Sequence, residues 1–280
     1  MMKPGVLERL APIFDGVNRR ILEQIGSGVP LVNQVCEHIL LSGGKRLRPA
    51  LFVLSAHLCG LKDGREFELA PAVEYLHAAT LLHDDVVDQS DTRRGRPAAH
   101  LVYGNQGVIL VGDFLLAQSL AVGVKADRLD FIDIISRAVG RMAEGEVLQL
   151  IHAHNPEITE AQYEDVIYRK TGLLIECSCR LGAMLAEAPP EWAESLRRYG
   201  RHVGLAFQII DDTLDYSGTQ AEFGKPVGHD LQEGKVTLPV IKALAGATGP
   251  DGEELKGLVR KENRTPVEFA RVKELIERYD

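Results

Sequence analysis

The stretch TEAQYEDVIYRKTGLLIECSCRLGAMLAE, residues 159–187, decides the fold class. It holds no proline and only two glycines, Gly172 and Gly182, and its apolar residues keep a helical period. Thr159 followed by Gln162 is a capping box: the hydroxyl and the amide side chain satisfy backbone N–H groups that the first helical turn leaves open. Outward from this stretch the same period covers Val6–Ile25, Leu31–Leu41, Pro49–Cys59, Glu66–Asp88, Gln106–Val122, Leu129–His152, Glu191–Leu214 and Pro239–Ala245. Thr265, Pro266 and Glu268 mark one more helix start. Strand alternation with hairpin turns is nearly absent. The expectation is all-α: a single domain, residues 1–280, of about ten helices. Ser90–His100 and Ser217–Gly234 read as polar loops rich in special residues.

The chain has 280 residues, 45% of them apolar and 26% charged. That is enough to bury a core without disulfides. The net charge of −8, from 32 basic and 40 acidic residues, argues against nucleic acid as a partner. No transmembrane segment is expected, because the most apolar stretch, Leu110–Val122, carries Gly112, Asp113, Gln118 and Ser119. The first residues lack the pattern of a secretory signal. Cys36, Cys59, Cys177 and Cys179 have no paired zinc spacing and read as reduced packing residues, so a cytoplasmic location is expected. His152 and His154 stand two apart and share no helical face.

The chemistry lies in two repeated patterns, Asp84, Asp85 and Asp88 in HDDVVD and Asp211, Asp212 and Asp215 in IDDTLD. Either one alone reads equally well as a solvated acidic helix end, but two in one chain are a strong signal. Positions i and i+4 lie about 40° apart on a helix, so Asp84 shares a face with Asp88 and Asp211 with Asp215. Carboxylates held this close repel unless a cation intervenes, and hard oxygen ligands without thiolates favour Mg2+ shared with phosphate groups. Cationic side chains follow at intervals: Lys45, Arg46 and Arg48; Arg93, Arg94 and Arg96; Lys170; Lys225 and Lys235. Acidic motifs for metal and basic motifs for phosphate together imply a diphosphate ligand. With apolar helices around it, such a site suits ionisation of the diphosphate in a dry pocket.

The motifs GGKRLRP (43–49), EYLHAATLLHDDVVDQSDTRRG (74–95), GEVLQL (145–150), KTG (170–172), FQIIDDTLDY (207–216) and GKPVGHDLQEGKVTLP (224–239) resemble those of the trans-type polyprenyl diphosphate synthases. The order of the motifs matches too. The resemblance implies an isoprenoid-synthase helical bundle around a central cavity, with the two aspartate motifs facing each other. It implies about three Mg2+ per site. The ligands would be Asp84, Asp85, Asp88, Asp211, Asp212 and Asp215, chiefly Asp84, Asp88 and Asp211. Arg93, Lys170, Gln208 and Lys225, with Thr171 and Lys235 nearby, would hold an allylic diphosphate. Lys45, Arg48, His77 and Arg94 would hold isopentenyl diphosphate. The implied reaction is head-to-tail elongation, in which Asp84, Asp85, Asp88, Asp211 and Lys170 are the catalytic set and the released diphosphate takes the proton. A homodimer is the implied assembly.

Product length follows from the same resemblance. A bulky aromatic five residues before the first aspartate stops chain growth early. Here Ala79 stands there, beside Thr80, with Leu76 one turn further along as the next barrier. No two-residue insertion interrupts the first motif. Both features point to a medium or long product, in the octaprenyl range. A farnesyl- or geranylgeranyl-forming synthase and a non-catalytic partner subunit are the alternatives. Two features depart from the family pattern. His229 stands where many relatives carry lysine, and the chain stops at Asp280 inside a helical segment where relatives continue, so a truncated or short C-terminal end is expected.

Overall fold

In the computed structural model, which describes residues 4–217 and 228–279, the chain forms two compact units, Met1–Val139 with Leu174–Gly200 and Gly140–Leu173 with Arg201–Asp280. Helices make up nearly all of both. In chain order they are α1 (Pro4–Gln24), α2 (Pro30–Leu41), α3 (Leu47–Leu58), α4 (Arg65–Leu69), α5 (Pro71–Val87), α6 (Ala99–Tyr103), α7 (Asn105–Val124), α8 (Leu129–Ile151), α9 (Glu160–Ile167), α10 (Leu173–Leu185), α11 (Pro190–Ser217), α12 (His229–Gln232), α13 (Leu238–Gly246), α14 (Gly249–Val259) and α15 (Pro266–Tyr279). One π-helical turn, Tyr168–Gly172, joins α9 to α10.

The first unit is built on α5. This helix is apolar almost all round and buries Ala72, Val73, Tyr75, Leu76, Ala78, Ala79 and Leu82, as expected for a helix with neighbours on every side. Its most extensive packing is against α7. Polar groups inside this packing are paired: the Tyr75 hydroxyl donates to the Ile21 carbonyl at 2.7 Å, and the Ser119 hydroxyl to the Ala72 carbonyl at 2.7 Å. Burying one Leu- or Phe-sized side chain contributes roughly 1.5–3 kcal/mol, and Phe52, Leu82 and Leu115 are fully buried here. The second unit has its own core, in which Tyr163, Leu231, Val240, Leu255, Val272 and Leu275 meet.

Three sequence expectations change. The run Glu66–Asp88 is two helices, because Pro71 has no N–H to continue the hydrogen-bond ladder of α4. The stretch 159–187 keeps its capping box, with Gln162 N–H to Thr159 Oγ1 at 3.3 Å and Thr159 N–H to Gln162 Oε1 at 2.9 Å, but is interrupted by the π turn. Helix α14 was not among the expected helices; it contains Gly249, Pro250, Gly252 and Gly257. Pro250 sits in its first turn, where a missing N–H costs nothing. The Ser90–His100 segment carries a two-residue ladder, Thr92–Arg93 against Arg96–Pro97.

Helix α7 is apolar along most of its length. Among the described residues it is the one helix long and apolar enough, by length and composition, to cross a membrane. One face, with Val108, Val111, Leu115 and Val122, is buried, while Ile109 and Leu110 are exposed.

Candidate active site

In the first unit the site forms around the C-terminal end of α5. Asp84 and Asp85 lie in its last turn, and Asp88 is the residue that ends it. The carbonyl end of a helix carries partial negative charge, so three carboxylates there cost stability unless cations offset them. Arg93 supplies one offset: its Nε donates to Asp85 Oδ1 at 2.9 Å and its Nη2 reaches the same oxygen. Asp85 is fully buried and its Oδ2 has no partner. Asp84 and Asp88 are half-buried. The ladder Thr92–Arg93/Arg96–Pro97 turns through Arg94 and Gly95, both with positive φ (53° and 75°). Such a turn suits the twist of a tight hairpin. It brings the Arg94 guanidinium onto the Gly43 carbonyl.

The arginines here have separate jobs. Arg46 is buried, and its whole fork is used internally, on Glu74 Oε1 (2.5 Å), Asn18 Oδ1 (2.9 Å) and the Leu40 carbonyl. Arg48, in the first turn of α3, keeps a buried Nε with no partner. Burial lowers its pKa to about 10, with Glu74 opposing and Arg94 adding to the effect. His77 on α5 is held well below its ordinary pKa, first by burial and then by Arg48, Arg94, Arg93 and Arg46. It is therefore neutral at pH 7 and adds no charge to an already cationic patch. Lys45 is exposed beside this patch. Leu76 and Ala79 are buried in α5, and Thr80 is half-buried with its hydroxyl on the His77 carbonyl at 2.9 Å.

In the second unit an open cleft is lined by Lys170, Thr171, Gln208, Asp212, Asp230 and Lys235 over apolar Ile158, Val166, Ile167 and Val236. A hydrogen-bonded chain runs along it. Thr171 Oγ1 donates to Gln208 Oε1 at 2.8 Å, Gln208 Nε2 to Asp212 Oδ1 at 2.6 Å, and the Tyr163 hydroxyl to Asp212 Oδ2 at 2.7 Å. Burial raises the Asp212 pKa to about 6, although these two donors oppose it. Asp230 is raised to about 8 by burial and by Asp215 and Asp212, with Lys235 opposing. Asp211 is exposed on α11. The Asp215 carboxylate accepts from the backbone N–H groups of His229 (3.3 Å) and Asp230 (3.0 Å), so it anchors α12.

The cations of this cleft have carboxylate partners. Lys170 pairs with Glu146 Oε2 at 2.8 Å and Lys235 with Glu233 Oε2 at 2.5 Å, while His229 meets the other Glu233 oxygen at 3.1 Å. The π turn sets Lys170 and Thr171 in place. Gly145 on α8 admits it, since a Cβ there would lie 2.7 Å from Arg169 Cβ and 3.0 Å from the Lys170 nitrogen. Arg169 is clamped by Asp165 and Glu144.

Each unit thus gathers part of the expected set: Arg48, His77, Arg93 and Arg94 near the first motif, and Lys170, Thr171, Gln208, Asp212 and Lys235 near the second. Lys225 lies outside the described residues. Glu146, Tyr163, Asp230 and Glu233 were missed as participants. Glu146, Asp230 and Glu233 lie inside motifs already noted, but only the fold reveals their partners. The donor set is carboxylate oxygen, which suits a hard cation such as Mg2+. Among the described residues no three Asp, Glu, His or Cys side chains converge as a metal cage.

A family profile described as Polyprenyl synthetase matches residues 29–277. The octaprenyl diphosphate synthase of Escherichia coli is 43% identical over 256 residues, covering 91% of this chain and 79% of that protein. The crystal structure of a decaprenyl diphosphate synthase from Rhodobacter capsulatus aligns with a TM-score of 0.92 at 39% identity, covering 98% of this chain and 84% of that one. A polyprenyl synthase from Caulobacter crescentus, crystallised with calcium and isoprenyl diphosphate, aligns with a TM-score of 0.91 at 40% identity, covering 98% and 83%.

Proposed function

This chain belongs to the polyprenyl synthetase family, and from that premise we propose how its residues carry out chain elongation. It is a trans-prenyltransferase of the long-chain type, joining isopentenyl diphosphate head to tail to an allylic diphosphate. In our reading the whole chain works as one synthase domain. Lys170, Thr171, Gln208, Lys235, Lys225 and Arg93 hold the allylic diphosphate, and Arg48, Arg94, His77 and Lys45 hold the diphosphate of isopentenyl diphosphate. Asp84, Asp88 and Asp211 hold Mg2+, about three ions per site, with Asp85, Asp212 and Asp215 supporting them. When bound, Mg2+ neutralises the departing diphosphate. That the Caulobacter crescentus polyprenyl synthase was crystallised with calcium and isoprenyl diphosphate supports a divalent cation in this chain.

The steps balance without a protein base. The allylic C–O bond breaks and its electron pair leaves with the diphosphate. The double bond of isopentenyl diphosphate then attacks the allylic carbon. A proton is lost to the released diphosphate. Arg48, Arg94 and Lys170 fix the two diphosphates, which turns a bimolecular encounter into an oriented one. His77, neutral by its surroundings, donates a hydrogen bond without adding charge.

The observation that carries this reading is the cationic patch of Arg48, Arg93 and Arg94 around a neutral His77, one helix end away from three carboxylates. Exposed Ile109 and Leu110 on α7, with Leu101 and Val102 on α6, support a homodimer contact. Four free cysteines, three of them buried, support a reducing, cytoplasmic setting. The small Ala79 supports a product longer than farnesyl. The test is purified protein with Mg2+, farnesyl diphosphate and labelled isopentenyl diphosphate, its products sized by mass spectrometry. Products longer than geranylgeranyl are expected, and no incorporation of label would overturn the reading.

A further inference from the structure

We propose that Arg264 and Phe269 are positioning residues for the allylic diphosphate, acting through the segment 228–235 that carries Lys235. Neither belongs to any motif noted above, and the proposal rests on the reading that Lys235 serves that diphosphate.

Helix α15 opens with a capping box: Thr265 N–H donates to Glu268 Oε2 at 2.9 Å and Glu268 N–H to Thr265 Oγ1 at 3.3 Å. This fixes the start of the helix, and with it the two flanking residues, Arg264 before the box and Phe269 after it. The Arg264 guanidinium spreads over four partners. Nε donates to the Leu258 carbonyl at 2.7 Å and Nη2 to the Val259 carbonyl at 2.6 Å, both in the last turn of α14. Nη1 donates to the Leu231 carbonyl in α12, and Nη2 stands 3.4 Å from His154 Nδ1. A cation on helix-terminal carbonyls is favourable. Here one fork ties α14 to α12.

Phe269 makes the second tie. Gly228 has φ +83°, and a Cβ there would overlap the Phe269 ring. That ring stacks on Tyr216 at 6.3 Å with 23° between planes, and Tyr216 directly follows Asp215. His154 adds a third hold: its N–H donates to the Gly234 carbonyl at 2.9 Å, and its ring fills the space of a Gly234 Cβ. The segment is thus gripped at Gly228, Leu231 and Gly234. From the other side Asp215 holds the N–H groups of His229 and Asp230, and Asp230 in turn accepts the Lys235 N–H at 2.8 Å. Freeing the Arg264 grip would let Lys235 and Asp230 shift while leaving the residues of the first unit untouched.

The test compares wild type with Arg264→Gln, Arg264→Lys and Phe269→Leu. Each is measured for the KM of both substrates, for kcat, for thermal midpoint, and for Mg2+-dependent binding of inorganic pyrophosphate by calorimetry. Misplacement of a binding group by a fraction of an ångström to 1 Å is costly, so Arg264→Gln should raise the allylic KM and weaken pyrophosphate by about tenfold, with the isopentenyl diphosphate KM within about twofold. Arg264→Lys should recover part of the loss, since it keeps the charge but not the fork. If Arg264→Gln does not fold, Arg264→Lys and Phe269→Leu carry the same comparison. Allylic KM and pyrophosphate binding within twofold of wild type in the folded variants, or both KM values rising together, would overturn the proposal. A wild type that fails to elongate condemns the functional reading alone, because the pyrophosphate titration still decides the positioning role.

Discussion

The two units keep their positive charge in different states. Around His77, Arg46 is spent on Glu74 and Arg93 on Asp85, while Arg48 keeps a buried Nε with no partner. In the cleft of the second unit Lys170 is paired with Glu146 and Lys235 with Glu233. An anion arriving at the arginine patch can meet the partnerless Arg48 Nε directly. One arriving in the cleft meets Glu146, Glu233, Asp212 and Asp230 and must compete with them for the lysines. Metal ions shared between carboxylate and phosphate remove that conflict. On the proposed reading, the difference means that the isopentenyl diphosphate site would bind through protein groups alone, whereas the allylic site would need its cations.

The largest effects should come from removing the carboxylates proposed to hold metal. Asp84→Ala and Asp211→Ala should each lower kcat by on the order of 10²–10³-fold or more, with the circular dichroism spectrum unchanged. Near-normal turnover at saturating Mg2+ would remove the aspartates from the metal site. Next, Arg48→Ala should weaken isopentenyl diphosphate by roughly 1.5–3 kcal/mol and spare the allylic substrate, and Lys170→Ala should do the reverse. Equal losses of both substrates in both variants would erase the contrast between the units.

Ala79→Tyr bears on the tail of the allylic chain. Ala79 is buried in α5, so the larger ring brings an overpacking cost of roughly 1–3 kcal/mol. The variant should still perform the first condensation but release farnesyl- or geranylgeranyl-length products, read by mass spectrometry. An unchanged product spectrum would place the chain-length wall elsewhere.

The smallest effect is on stability. In metal-free protein the Asp212 carboxyl has a folded pKa of about 6 against an ordinary 3.8. Between those values the folded state holds the extra proton, so stability falls as pH rises from about 4 to about 6, by at most ~3 kcal/mol. Asp212→Asn should lack this fall. Urea unfolding with chelator at pH 4 and pH 7 measures it, and parallel curves for the two proteins would refute the assignment.

What could be read from the chain, and what could not, follows from locality. The Thr159–Gln162 box, the Thr265 helix start and the spacing of both aspartate motifs are local facts, and each appears in the fold. The π turn at Tyr168–Gly172 is not local, because it depends on Gly145 of another helix making room. For the same reason the sequence did not show that the Asp215 carboxylate also holds α12 across 14 residues of chain. Arg46 looked like its neighbour Arg48 until Glu74, Asn18 and Leu40 claimed its fork. Helix α14, which carries four glycine and proline residues, was not read from the sequence.

The contrast between the two units is tested most directly by calorimetric titration of each substrate alone, with Mg2+ and again with chelator. The account predicts that isopentenyl diphosphate binds with nearly the same affinity in both conditions, while farnesyl diphosphate loses most of its affinity without metal. Equal dependence of the two substrates on Mg2+ would contradict it.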